Sequence, residues 1–245
     1  MFTQVVSSGG IASRTQVTEF AQQMVLSGGI ARSSVVTTNA RENVEDGGVA
    51  SGSTLSGAGA QIVVDGGLAL GTLVLNGGQQ TVSAGGVASS TLVQSNGQLN
   101  VSSGGIAMGV MIEAGGAFVG TTDSVVSGFN SLGSFSISDN VASGVLLEDG
   151  GTLTINPGGI AQDTVIGAFG SGLVLAGGIA IDTQDNFQLV ISAGGITSGT
   201  VVSNFGQEVI SAGGVTSGST VLGFGQEIVT SGGSRTRRRS AAPVR

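Results

Sequence analysis

The chain contains no cysteine, histidine, lysine, tryptophan or tyrosine, and only two prolines. Without cysteine there is no disulfide framework and no thiolate metal site. Without histidine the usual nucleophilic triads lose their base and zinc loses its commonest nitrogen ligand. Without lysine the phosphate-cradling loop ending in Gly-Lys-Ser/Thr cannot be built, however much glycine is present. Charge is scarce, at 9% of residues, and lopsided: Arg235, Arg237, Arg238, Arg239 and Arg245 are five of the eight basic residues. Residues 1–234 therefore set 15 acids against Arg14, Arg32 and Arg41, a net of −12. Such an array repels nucleic acid and anionic lipid. No apolar run is long enough to cross a membrane as a helix. Disorder is also disfavoured, because 40% of the residues are hydrophobic, mostly Val, Ile, Leu and Ala.

What the chain has in excess is glycine, 46 of 245 residues, and the glycine is periodic. A series of Gly-Gly pairs begins at residues 9, 28, 47, 66, 85, 104, 158, 177, 194, 213 and 232, mostly in steps of 19. The gap from 104 to 158 divides as 19, 16 and 19 if Asp123-Ser124 and Asp139-Asn140 stand in for glycine pairs. The step from 177 to 194 is two residues short. A period near 20 in a glycine-rich chain predicts a solenoid, in which each unit buries its face only against its neighbours.

Numbering a unit from Gly85, the third position is a branched aliphatic in all twelve units, from Ile11 to Val215. The ninth (Val17, Val36, Leu55, Val74, Val93) and seventeenth (Val25, Val44, Val63, Val82, Val101) are aliphatic almost as uniformly. The seventh is usually Ser or Thr. Strict alternation puts positions three, seven and nine on one inward face; on that reading Val215→Asp costs several kcal/mol. A second turn at positions twelve and thirteen, such as Asn96-Gly97, leads into a second strand. Recurrent glycine and β-branched residues disfavour helix. The expectation is all-β: one right-handed parallel β-solenoid of about twelve coils over residues 1–233, with two short strands per coil spaced ~4.8 Å from the next coil. Residues 234–245 read as a basic, disordered tail. Both ends fall inside a unit without a distinct cap, so the chain reads as an interior piece of a longer array.

The unit G-G-[IV]-A-x-x-T-x-V, then a turn, then x-V-x-[SA]-G-G resembles the strand-loop-strand repeats of autotransporter passenger domains of the AIDA adhesin type. Gly85–Ser103 and Gly213–Ser231 match best, and the resemblance covers residues 3–233. It implies a bacterial cell-surface or secreted adhesin passenger that mediates adherence or self-aggregation. Its partners would be a host-cell receptor or glycan, identical neighbours, and a heptosyltransferase that modifies repeat serines. A signal peptide and a membrane β-barrel, both parts of the family, are not legible in this chain.

Serines before the glycine pairs suit that modification: Ser27, Ser83, Ser103, Ser192, Ser211 and Ser231. A second set at position five, including Ser51, Ser89 and Ser217, would face inward if alternation ran unbroken. Phe20, Phe169, Phe205 and Phe224 recur beside the second turn. They read either as an exposed contact strip or, more economically, as a stack capping one edge of the core. No catalytic, cofactor or metal residues are assigned. The close acid groups, Glu45-Asp46, Glu148-Asp149 and Asp182/Asp185, read as solvated turn acids. A polysaccharide-active enzyme would need two such carboxyls flanking a bond, and is the alternative. The calcium-binding nonapeptide repeat requires an Asp after the glycines that is absent here.

Overall fold

The sixth residue of each regular coil determines the cross-section of the rod. It adopts positive φ whether it is glycine (Gly71, 63°), serine (Ser90, 59°), arginine (Arg14, 54°) or aspartate (Asp163, 52°). A left-handed residue bends the chain and resets the alternation of side chains. In the computed structural model, which describes residues 2–236, the segment read as one straight strand is therefore two strands meeting at a corner. Each regular coil has three sides, typified by Val87–Ser89, Leu92–Val93 and Gln98–Val101. All the described regular structure is strand.

The three sides stack in parallel and in register. Gln79 to Val82 lie opposite Gln98 to Val101, one repeat of 19 residues further on. The third side forms a 12-stranded sheet running from Thr3–Val6 to Gln226–Val229 in chain order. The expected twelve levels are present, built from three short strands rather than two. The stack extends to Thr236, since Ser234–Thr236 pairs with Val215–Ser217, three residues past the expected boundary at 233. The remainder of the basic tail, 237–245, lies outside the described residues.

The corner at position six corrects the inward assignment. Positions seven and nine do face in: Thr91 and Val93 are buried. Position three does not. Val87 and Val215 are half-buried on the outer face, and Ile11 and Ile196 are exposed. Position four is buried instead and is nearly always alanine (Ala12, Ala31, Ala50, Ala69, Ala88, Ala107). Its small side chain suits the interior beside a tight corner. Positions fifteen and seventeen complete the interior, as Leu99 and Val101 do. The glycine pair is explained by two separate needs. Gly85 adopts φ of 72°, whereas a Cβ on Gly86 would lie 2.5 Å from the Val63 carbonyl oxygen of the coil before.

Position fifteen is not uniformly apolar. In the first coils it carries a ladder of buried amides: Gln23 Nε2 donates to Gln4 (2.7 Å), Gln61 Nε2 to Glu42 (2.7 Å) and Gln80 Nε2 to Gln61 (2.7 Å). Inward hydroxyls of position seven close the ladder laterally, Ser34 donating to Gln23, Thr72 to Gln61 and Thr91 to Gln80. Buried amides are stable when paired in this way, and each pairing fixes the register of two coils.

The segment 123–138, expected as a short coil, is half a coil followed by a hairpin. Asp123-Ser124 does replace a glycine pair, and the Gly104 N–H donates to the Asp123 carbonyl at 3.2 Å. Val125–Asn130 then continues the first side, and Gly133–Ser138 returns antiparallel between it and Val141–Ser143. The third side skips this level: Gly120 pairs with Val101 on one flank and with Leu153 on the other, a two-residue change of register. The interior is filled there by Phe118 and Phe135, with ring centroids 5.8 Å apart. A Cβ on Gly120 would lie 2.4 Å from the Phe118 ring, so only glycine leaves it room.

Candidate contact surface and modification sites

The second turn is a corner where the chain reverses outside the core, so a large side chain at position twelve is carried into solvent. Phe20, Phe169, Phe205 and Phe224 are 62%, 67%, 71% and 71% exposed. The reading of these rings as a stack capping the core edge is thereby corrected. Phe205 and Phe224 stack face to face at 4.9 Å, with planes 5° apart. Phe169 meets Phe187 at 5.5 Å and 53°. Phe169, Phe187, Phe205 and Phe224 thus occupy four consecutive levels of one corner, and Phe20 stands alone near the other end of the rod. Phe187 escaped the periodic reading because its coil is two residues short. The signal available was an Asn-Phe pair in the same turn.

The turn before each glycine pair places the candidate serines along another corner. Ser27, Ser103 and Ser231 are exposed; Ser83, Ser192 and Ser211 are half-buried. Ser192 and Ser211 lie in register on successive levels, ~4.8 Å apart, and Ser231 stands one residue further along the turn of the next level. Ser103 is tied down, its Oγ donating to Asp123 at 2.7 Å. The serines at position five, such as Ser51, Ser89 and Ser217, face outward, because the corner at position six removes the conflict that alternation implied.

The acids divide in a way the sequence reading missed. Asp46, Asp149 and Asp182 are exposed turn residues, and Glu45 and Glu148 are half-buried. Asp185 is not a solvated turn acid: it is fully buried at position nine, where other coils carry Val, Leu or Ile. Its Oδ1 accepts the Phe187 N–H at 3.1 Å, the local bond that closes the shortened turn. Oδ2 has no partner. Burial pushes this carboxyl up to about 6, the Phe187 N–H opposing and the Glu208 charge adding. Glu208 is itself fully buried, and its Oε1 accepts from Thr197 (2.8 Å) and Thr216 (3.1 Å). At the next level Glu227 is raised by burial, against the pull of Arg235 at 2.9 Å. Glu42 and Glu208 stand at inward position fifteen, a placement that their kinship with Gln23, Gln61 and Gln80 could have revealed.

A model of the family described as the adhesin of the bacterial autotransporter system, probable stalk, matches residues 56–116 and 127–186. These are AIDA stalk repeats. Over 85 residues, 35% of the chain, the AIDA repeats are 40% identical to the autotransporter adhesin/invasin TibA of Escherichia coli. The matched stretch spans only 8% of that protein's length. The fold is similar to a crystallised TibA fragment hyper-glycosylated in a TibC-catalysed reaction, with a TM-score of 0.58 and 28% identity, covering 98% of this chain and 93% of that one. AIDA repeats belong to autotransporter passengers, which are surface-exposed or secreted adhesins. No helix among the described residues is long and apolar enough to cross a membrane.

Proposed function

We propose that this rod is an adhesin stalk that works by lateral contact, holding identical neighbours or a host-cell receptor or glycan along its length. The observation that carries the reading is the run of exposed rings at Phe169, Phe205 and Phe224 on one corner of an in-register rod. Exposed apolar strips of this kind mark contact sites. Repetition multiplies weak contacts, because once one level is engaged the next binds at high effective concentration. Phe20 offers a second contact near the opposite end.

A second reading concerns the serine corner. Ser27, Ser83, Ser103, Ser192, Ser211 and Ser231 are proposed acceptors for O-linked sugar, added by a heptosyltransferase partner. The similarity to a TibA fragment glycosylated by TibC supports this. The test co-expresses the chain with such an enzyme and reads intact mass. Discrete sugar-sized increments are expected, and Ser192→Ala, Ser211→Ala and Ser231→Ala together remove part of them. An unmodified mass rejects the modification. Cell-aggregation assays of the chain displayed on bacteria test the contact strip: Phe205→Ser with Phe224→Ser lowers aggregation, and an unchanged rate rejects it.

A further inference from the structure

The phenylalanine corner has an interruption that the rest of the rod lacks. In a regular coil four residues join the second and third sides, as 94–97 join Leu92–Val93 to Gln98–Val101. In coil 177–193 only Asn186 and Phe187 do so, and the shortening falls at Phe187. Its neighbours hold their usual places: the Asn186 N–H donates to the Ile166 carbonyl, and Gln188 pairs with Ser171 and Gln207. The turn is therefore drawn inward and leaves an open notch of about 570 Å³, within the ~300–1,000 Å³ of small-molecule sites. Phe169 and Phe205 wall it, two levels or ~9.6 Å apart, and Phe187 floors it.

The rim is made of carboxamides. Asn204 Nδ2 (3.1 Å) and Ser203 Oγ (2.7 Å) both donate to Asn186 Oδ1. That oxygen is thereby occupied, and the amide is oriented with Nδ2 free to donate. Asn204 Oδ1 is left as an acceptor beside it, and the Gln188 amide offers both functions. No charged side chain lines the notch, in a chain of net charge −7.

We infer that this notch binds a neutral pyranose ring of a glycan. Aromatic faces are electron-rich and attract the polarised C–H face of a sugar, while fixed donor and acceptor amides match its adjacent hydroxyls. The other occupants fit less well. An acidic sugar or phosphate would meet no cation here and would enter the field of an acidic rod. An apolar side chain would bury the rim amides without partners. A second rod would be engaged by the protruding rings rather than by the recess. The inference deepens the adhesin reading and rests on it for its biological use, but the binding itself can be measured separately.

The experiment is saturation-transfer difference NMR on the full chain with three neutral disaccharides: lactose, cellobiose and N,N′-diacetylchitobiose. Transfer to ring C–H protons of at least one is expected. Asn204→Ala weakens binding by about tenfold. Insertion of two residues after Phe187, restoring a regular coil, abolishes it, with folding confirmed by far-UV circular dichroism. Phe129→Ser, at an exposed ring of the hairpin level outside the notch, leaves sugar binding intact. No transfer from wild type to any of the three, or transfer that survives the insertion, overturns the assignment. Sugar binding by the wild-type chain, together with unchanged aggregation of the Phe205→Ser, Phe224→Ser rod, would sink the contact strip while sustaining the notch.

Discussion

Asp185 gives the sharpest quantitative prediction. Its carboxyl is raised from 3.8 to about 6, chiefly by burial, so keeping it ionised in the folded rod costs ~3 kcal/mol. Below pH 3.8 the group is protonated both folded and unfolded, and there is no penalty. Between 3.8 and 6 the folded chain holds a proton that the unfolded chain releases, so stability falls as pH rises. Above 6 the full penalty is present. Asp185→Asn keeps the Oδ1 acceptor for the Phe187 N–H and cannot ionise. The variant should match wild type near pH 4 and exceed it by ~3 kcal/mol at pH 7.5. Guanidinium denaturation followed by far-UV circular dichroism is the assay, since the chain has no tryptophan or tyrosine to report by fluorescence. Glu227 also titrates upward, but it is common to both proteins and cancels in the difference. A difference between the two that stays constant from pH 4 to 7.5 refutes the reasoning.

Other consequences are testable in the same assay. Leu99→Ala, at a fully buried site, should cost ~3 kcal/mol, whereas Val87→Ala, on the outer face of the neighbouring side, should cost under ~1; equal costs would reinstate position three as core. Gly48→Ala places a Cβ 2.2 Å from the Val25 carbonyl oxygen and should cost ~2–3 kcal/mol. A Cβ on Gly10 would meet Ser7 oxygen of its own turn at 2.8 Å rather than a strand carbonyl of another coil, so Gly10→Ala should be milder; a reversed order would disprove the stacking account of the doublet. Phe205→Ser with Phe224→Ser should lower stability by no more than ~1.5 kcal/mol, the worth of one stacked pair, and a larger loss would return these rings to the core.

The level of each residue along the rod was legible in the sequence; the direction of its side chain was not always. Spacing of the glycine pairs located every regular level, because a coil that stacks in register must repeat at fixed length. Inward and outward faces depended on position six, where Arg14, Ser33, Ser90 and Asp163 adopt the same left-handed backbone as Gly71. Residue type alone does not announce that corner, so alternation was carried through it and position three was turned inward. At 123–138, Asp123-Ser124 and Asp139-Asn140 imitate glycine pairs, as turn-forming residues can, and hid a hairpin. Phe187 was missed because the two-residue deletion sets its ring off the column. Asp185 was misplaced for a different reason: it stands at position nine, which faces inward in the regular coils, but residue type alone suggests a solvated acid.

The amide ladder has a consequence for how such a stalk can change over generations. Gln61 and Gln80 each donate backward to the coil before and accept from a hydroxyl of the coil after. The unit that runs from one to the other therefore ends in the same chemistry at which it began. Gene duplication or loss of the 19-residue unit between Gln61 and Gln80 would splice without leaving an unmatched interior, lengthening or shortening the rod by one ~4.8 Å step. The hairpin level, with its offset register and paired phenylalanines, admits no such exchange. The protein's reach is thus adjustable in fixed increments on one side of a joint that must itself be inherited whole.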